Sequence, residues 1–164
     1  MNDAISHDFS TRTQAAGPKP PSLHWALVLV LSMATFGLFG VVWMFIQARL
    51  AKKLDPGNRA VLLFTASLAL FLFYVLLLAV VALTLARGGE GTNLSPAANV
   101  VFLFGTIFTI NGFFQIRGSL LKYYNSVEPI NLKLSGVMTF FFNVYYLQYH
   151  LARIATYTRE LDPR

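Results

Sequence analysis

Residues 60–86 read AVLLFTASLALFLFYVLLLAVVALTLA, 27 positions without one charged side chain. A helix of that length reaches about 40 Å, and a bilayer's hydrocarbon core is roughly 30 Å thick, so the stretch is long enough to cross with tilt. The composition around it agrees. Hydrophobic residues are 55% of the 164 and charged residues 12%, against roughly 45–50% (counting glycine) and 25% in soluble domains. A soluble protein this small must cover a large surface, and this chain lacks the charge to do so. A soluble globular domain, a disordered chain and a nucleic-acid binder with its own folded head are excluded. An all-α integral membrane protein remains.

Three more apolar segments flank residues 60–86. Leu23 to Ile46 precedes it. Pro96 to Ile116 follows, opened by Ser95 as a side-chain cap with Pro96 where no amide is needed. Leu134 to His150 is shorter and rich in aromatics. Residues 1–22 read as a disordered polar tail, 23–154 as the membrane domain and 155–164 as a second polar tail. Between the segments, Arg49 to Leu54 continues a helix until Asp55-Pro56-Gly57-Asn58 stops it. Residues 87–93 read as a short flexible turn, and 117–133 as an interfacial helix ending near Pro129.

Lys and Arg close to a span favour the cytoplasm. Four full crossings would divide the 13 basic residues almost evenly, seven against six. If only 60–86 and 96–116 cross, then Arg12, Lys19, Arg49, Lys52, Lys53, Arg59, Arg117, Lys122, Lys133, Arg153, Arg159 and Arg164 share one side and Arg87 stands alone. The expected fold is therefore a central transmembrane helix pair flanked by two segments that are re-entrant or in-plane, with both termini cytoplasmic. Thr35-Phe36-Gly37-Leu38-Phe39-Gly40 permits a break in the first flanking segment, and Gly136, Thr139 and Asn143 occur in the second. Four full transmembrane helices are the alternative. Trp25 and Trp43, 18 residues apart and about 27 Å on a straight helix, would then mark opposite interfaces. A faint repeat at an offset of 103 residues pairs Leu31-Ser32 with Leu134-Ser135 and Val41 with Val144.

Chemistry is sparse. No carboxylate lies inside an apolar segment, there is no cysteine, and the three histidines have no metal-ligand spacing. No cofactor, metal or enzymatic activity is expected; a lipid-modifying enzyme would rest on Tyr146, His150 and Arg153 alone. Arg49, Lys52, Lys53, Arg117 and Lys122 are candidates for binding anionic lipid headgroups. His24, Trp25, Trp43 and Tyr146 are candidate interface anchors. Gly105, Thr109 and Gly112 are candidate packing positions against Ala66, Ala69, Ala79 and Ala82. Asn111, Gln115, Asn143, Gln148 and His150 are a candidate polar cluster within the membrane.

Pro21-Ser22-Leu23-His24-Trp25 and Thr35-Phe36-Gly37-Leu38-Phe39-Gly40-Val41-Val42-Trp43, together with 123–130 and 141–151, resemble an uncharacterised bacterial family of small multi-pass membrane proteins. The resemblance covers most of residues 21–154; Phe39 stands where tyrosine is commoner. It implies a bacterial inner membrane and nothing catalytic. The function expected is a non-enzymatic accessory or scaffold that binds anionic lipid and a protein partner, another membrane protein or a second copy, through its basic, aromatic cytoplasmic face. No nucleic-acid partner is expected. A small oligomeric channel is the alternative.

Overall fold

The computed structural model describes residues 18–88, 95–127 and 130–161. The tail expected over 1–22 lies outside the described residues as far as residue 17, as do 89–94, 128–129 and 162–164. Among the described residues the elements are all helical: α1 Trp25–Ala34, α2 Leu38–Leu54, α3 Ala60–Ala86, α4 Ser95–Ser126 and α5 Gly136–Leu161. Two helices, Ala60–Ala86 and Pro96–Ser126, are long and apolar enough to cross a membrane.

α3 and α4 form an antiparallel hairpin. Ser67 Oγ donates to the Gly105 carbonyl (2.8 Å) and bonds the Thr109 hydroxyl (2.6 Å). The Phe64 ring lies over Gly112, where a Cβ would come within 2.2 Å of it. At the near end, Asn58 Nδ2 donates to the Gln115 carbonyl (2.9 Å) and to Ser119 Oγ (2.7 Å). Toward the far end, the Tyr74 and Phe102 rings stand 5.3 Å apart. The three expected packing positions do meet α3, but on Phe64, Ser67 and Leu70. Ala69, Ala79 and Ala82 are exposed. The receiving stripe is set by shape and hydroxyls, and a small side chain on each partner is not required.

α4 also corrects the expected boundary at Ile116. It runs unbroken to Ser126, with no separate interfacial helix. Gly112, Ile116, Leu120 and Tyr124 recur every four residues, and all are buried. One packing face therefore continues past Arg117, and the helix continues with it.

The first flanking segment is a helical hairpin. α1 is only 10 residues long, about 15 Å, half of a hydrocarbon core. Phe36 and Gly37 make the turn with φ of 51° and 90°. The Thr35 hydroxyl donates to the Leu31 carbonyl (2.7 Å) and accepts from the Phe39 amide (2.9 Å), so it ends one helix and begins the next. Ser32 then lies against Gly40. Lower down, one Gln148 side chain bonds both the Leu23 carbonyl (2.6 Å) and the Trp43 indole (2.8 Å). Trp25 and Trp43 thus start from the same end, and the 27 Å separation of a straight helix is not realised. The tip is apolar and outward: Phe36 is 100% exposed, with Met33 and Leu38 beside it.

α5 is bent at Asn143 (φ 28°, ψ −106°), whose side-chain oxygen accepts from the Val144 amide (2.6 Å). The Tyr146 hydroxyl accepts from the Ser135 amide (2.9 Å), tying the residue before α5 to the part of that helix beyond the bend. The stretch from 155 on, expected as a tail, is helical to Leu161. The 103-residue offset pairs Asn143 with Gly40, so it does not superpose the two bends.

The core is gathered at the end of the hairpin where α3 begins: Ala48, Ala51, Ala60, Phe64, Phe113, Ile116, Leu120, Leu147 and Leu151. Along α3 beyond Phe71 no side chain is buried; Phe71, Leu72, Phe73, Leu76, Leu83 and Leu85 are exposed. The hairpin therefore projects an uncovered apolar half away from the core.

Candidate functional site

The end of the molecule that holds the core also holds the charge. α2 buries Ala48, Leu50 and Ala51 and turns Arg49, Lys52 and Lys53 outward. These three cations, and Arg59 at the start of α3, are exposed and carry no hydrogen bond or ion pair to a described residue. Arg59 belongs with them; its place beside the Asp55–Asn58 turn was the available signal. The other two candidates are engaged. Arg117 donates from Nε (3.0 Å) and Nη2 (2.8 Å) to the Leu134 carbonyl, holding the start of α5 against α4. Lys122 pairs with Asp55 at 3.4 Å. Arg87 lies at the opposite end of α3.

The anchors divide by role. The His24 imidazole caps α1 by accepting from the Ala26 amide (3.3 Å), and its ring lies 5.7 Å from that of Trp25. Trp43 and Tyr146 spend their polar atoms on Gln148 and Ser135. Trp43 thereby fastens α2 to α5, and Tyr146 fastens the start of α5 to the helix beyond its bend.

The five polar candidates do not form one cluster. Gln148 is wholly buried and uses every amide valence: its oxygen accepts from Trp43 Nε1 (2.8 Å) and Gln47 Nε2 (3.4 Å), and its nitrogen donates to the carbonyls of Pro21 (3.1 Å) and Leu23 (2.6 Å). Gln47, one residue beyond the expected first segment, is its buried partner and also donates to the Val144 carbonyl (2.9 Å). Asn143 makes the bend. His150 is half-buried between the Tyr146 and Tyr149 rings. Burial, and then the charge of Arg153, lower its pKa below the ordinary value. Asn111 and Gln115 lie elsewhere, on α4, in a groove with Asp55, Ser119 and Lys122.

Among the described residues, no three His, Cys, Asp or Glu side chains converge as a metal site would need. The chain matches no family model, no curated protein and no solved structure.

Proposed function

We propose that the chain is a non-enzymatic integral membrane protein, an accessory or scaffold that binds anionic lipid headgroups and a protein partner through its basic end. The α3–α4 hairpin crosses the bilayer. The α1–α2 hairpin enters one leaflet and returns, and α5 lies along the same side. Both termini are cytoplasmic. The resemblance in sequence adds a bacterial inner membrane.

The observation that carries this reading is the separation of charge from apolar surface. Arg49, Lys52, Lys53 and Arg59 stand unpaired among the described residues at one end, and the surface of the other half of the hairpin is mostly hydrocarbon. Lipid chains cover such a surface at no cost, and anionic headgroups pair with cations at its rim, at about 1 kcal/mol per Lys or Arg. Tyr149, with Arg153 5.7 Å from its ring centre, and exposed Tyr157 supply the aromatic part of that rim.

The test is a lipid preference. In vesicles that mix phosphatidylcholine with brominated phosphatidylglycerol, quenching of Trp25 and Trp43 reports enrichment of the anionic lipid around the protein. The triple variant R49Q/K52Q/K53Q is expected to lose about tenfold or more of that preference. Equal preference in the native chain and the variant would refute headgroup binding by this face.

A further inference from the structure

The groove on α4 has a different chemistry from the cationic face. It is an open groove of about 330 Å³, lined by Asp55, Asn111, Gln115, Gly118, Ser119 and Lys122 together with Phe114. The α4 members fall on one helical stripe about 16 Å long. One carboxylate and one ammonium leave it without net charge.

Several of its hydrogen-bond acceptors are under-used. Asp55 accepts from the Gly57 amide (3.3 Å), Lys122 Nζ (3.4 Å) and Ser119 Oγ (3.3 Å). All three are at the long edge of the range, on a group with about four acceptor sites. The Asn111 amide nitrogen donates to its own helix at Ile107 (3.0 Å), which leaves its oxygen free. The Gln115 side chain bonds no described residue. Gly118 leaves open space beside them. Lys122 is 70% exposed and its pair with Asp55 is loose; such surface pairs are weak, so the ammonium is free to swing to a ligand.

We propose that this groove binds the headgroup of a phosphoethanolamine lipid. The ligand's ammonium donates to Asp55 and to the Gln115 and Asn111 oxygens. Its phosphate takes Lys122, and its chains pass Phe114 onto the apolar surface above. Choline has no N–H to donate, glycerol has no cation for Asp55, and serine would set a second carboxylate against it. The site rests on the bilayer placement proposed above, which puts Gln115 at headgroup depth, level with the first turn of α3, and Asn111 one turn deeper.

The experiment titrates the purified full chain in detergent with phosphatidylethanolamine and its mono-, di- and trimethylated analogues of identical chains, reading the first bound lipid by native mass spectrometry. Affinity is expected to fall at each methylation, by about tenfold or more overall, because hydrogen bonds to charged groups are lost one by one. D55N, which keeps an acceptor for the Gly57 amide, is expected to abolish the discrimination. Q115L, at an exposed side chain with no internal partner, is expected to reduce it several-fold. R49Q/K52Q/K53Q leaves it unchanged. Equal binding of the ethanolamine and choline lipids by the native chain would overturn the site. Discrimination surviving in both D55N and Q115L would do so too, as would displacement of the lipid by an equal concentration of soluble phosphoethanolamine. An anionic preference equal in the native chain and in R49Q/K52Q/K53Q, with the methylation series intact, would refute the cationic face and leave the groove standing.

Discussion

Replacing Gly112 with alanine is expected to lower the stability of the fold by about 2 kcal/mol, although alanine is the better helix former by roughly 1 kcal/mol. The reason is the ring above it. A Cβ there would stand 2.2 Å from Cε1, 2.6 Å from Cδ1 and 2.8 Å from Cζ of Phe64. Phe64 cannot yield easily. It is wholly buried, with its centre 5.0 Å from that of Phe113 and 6.1 Å from that of Phe45. Either α3 and α4 part, or the ring leaves its place and opens the core. The loss is read from reversible unfolding in detergent. The cause is isolated by F64L: the double variant is expected to be more stable than the two single effects predict, by about 1 kcal/mol. Strict additivity would show that the close approach is not what holds the pair.

The second large effect is expected from Gln148→Ala. This amide joins three parts of the chain: the residues before α1, Trp43 and Gln47 on α2, and α5 itself. Its removal leaves an indole N–H, an amide N–H and two carbonyls without that partner. Each buried group so stranded costs about 1–3 kcal/mol, though interhelical bonds in membranes average nearer 0.6 kcal/mol. A total of about 3 kcal/mol is expected. Two further readings follow from the geometry: residues 18–24 become open to proteolysis, and Trp43 emission shifts toward the red. H150A, two residues further along α5, is expected to leave both readings unaltered. A Q148A chain whose N-terminal stretch stays protected would show that the amide is not the fastening.

What the sequence disclosed depended on how local each cause was. The break near Thr35 could be read because its agents are adjacent: a hydroxyl that serves two helices and a glycine at φ 90°. The long apolar helices were legible from length alone. The unbroken α4 was hidden because Arg117, Lys122, Tyr123 and Tyr124 read as a separate interfacial helix, while the deciding face, Gly112, Ile116, Leu120 and Tyr124, shows only when its partners are known. Gln148 was noticed as polar, but its mate Gln47 is 101 positions away and sits just past the end of the first apolar run. Asn111 and Gln115 were grouped with Gln148 by type; folding sorts them to a groove beside Asp55, which a turn, not an apolar segment, delivers.

The central claim is that the chain enters and leaves by one face, with only the loop between α3 and α4 exposed across the bilayer. The native chain has no cysteine, so single cysteines placed at Pro20, Gly57, Arg87 and Ile130 can be labelled with a membrane-impermeant reagent from either side of sealed, oriented vesicles. The account predicts that Pro20, Gly57 and Ile130 react from the same side and Arg87 from the other. Labelling of Pro20 and Gly57 from opposite sides would contradict it.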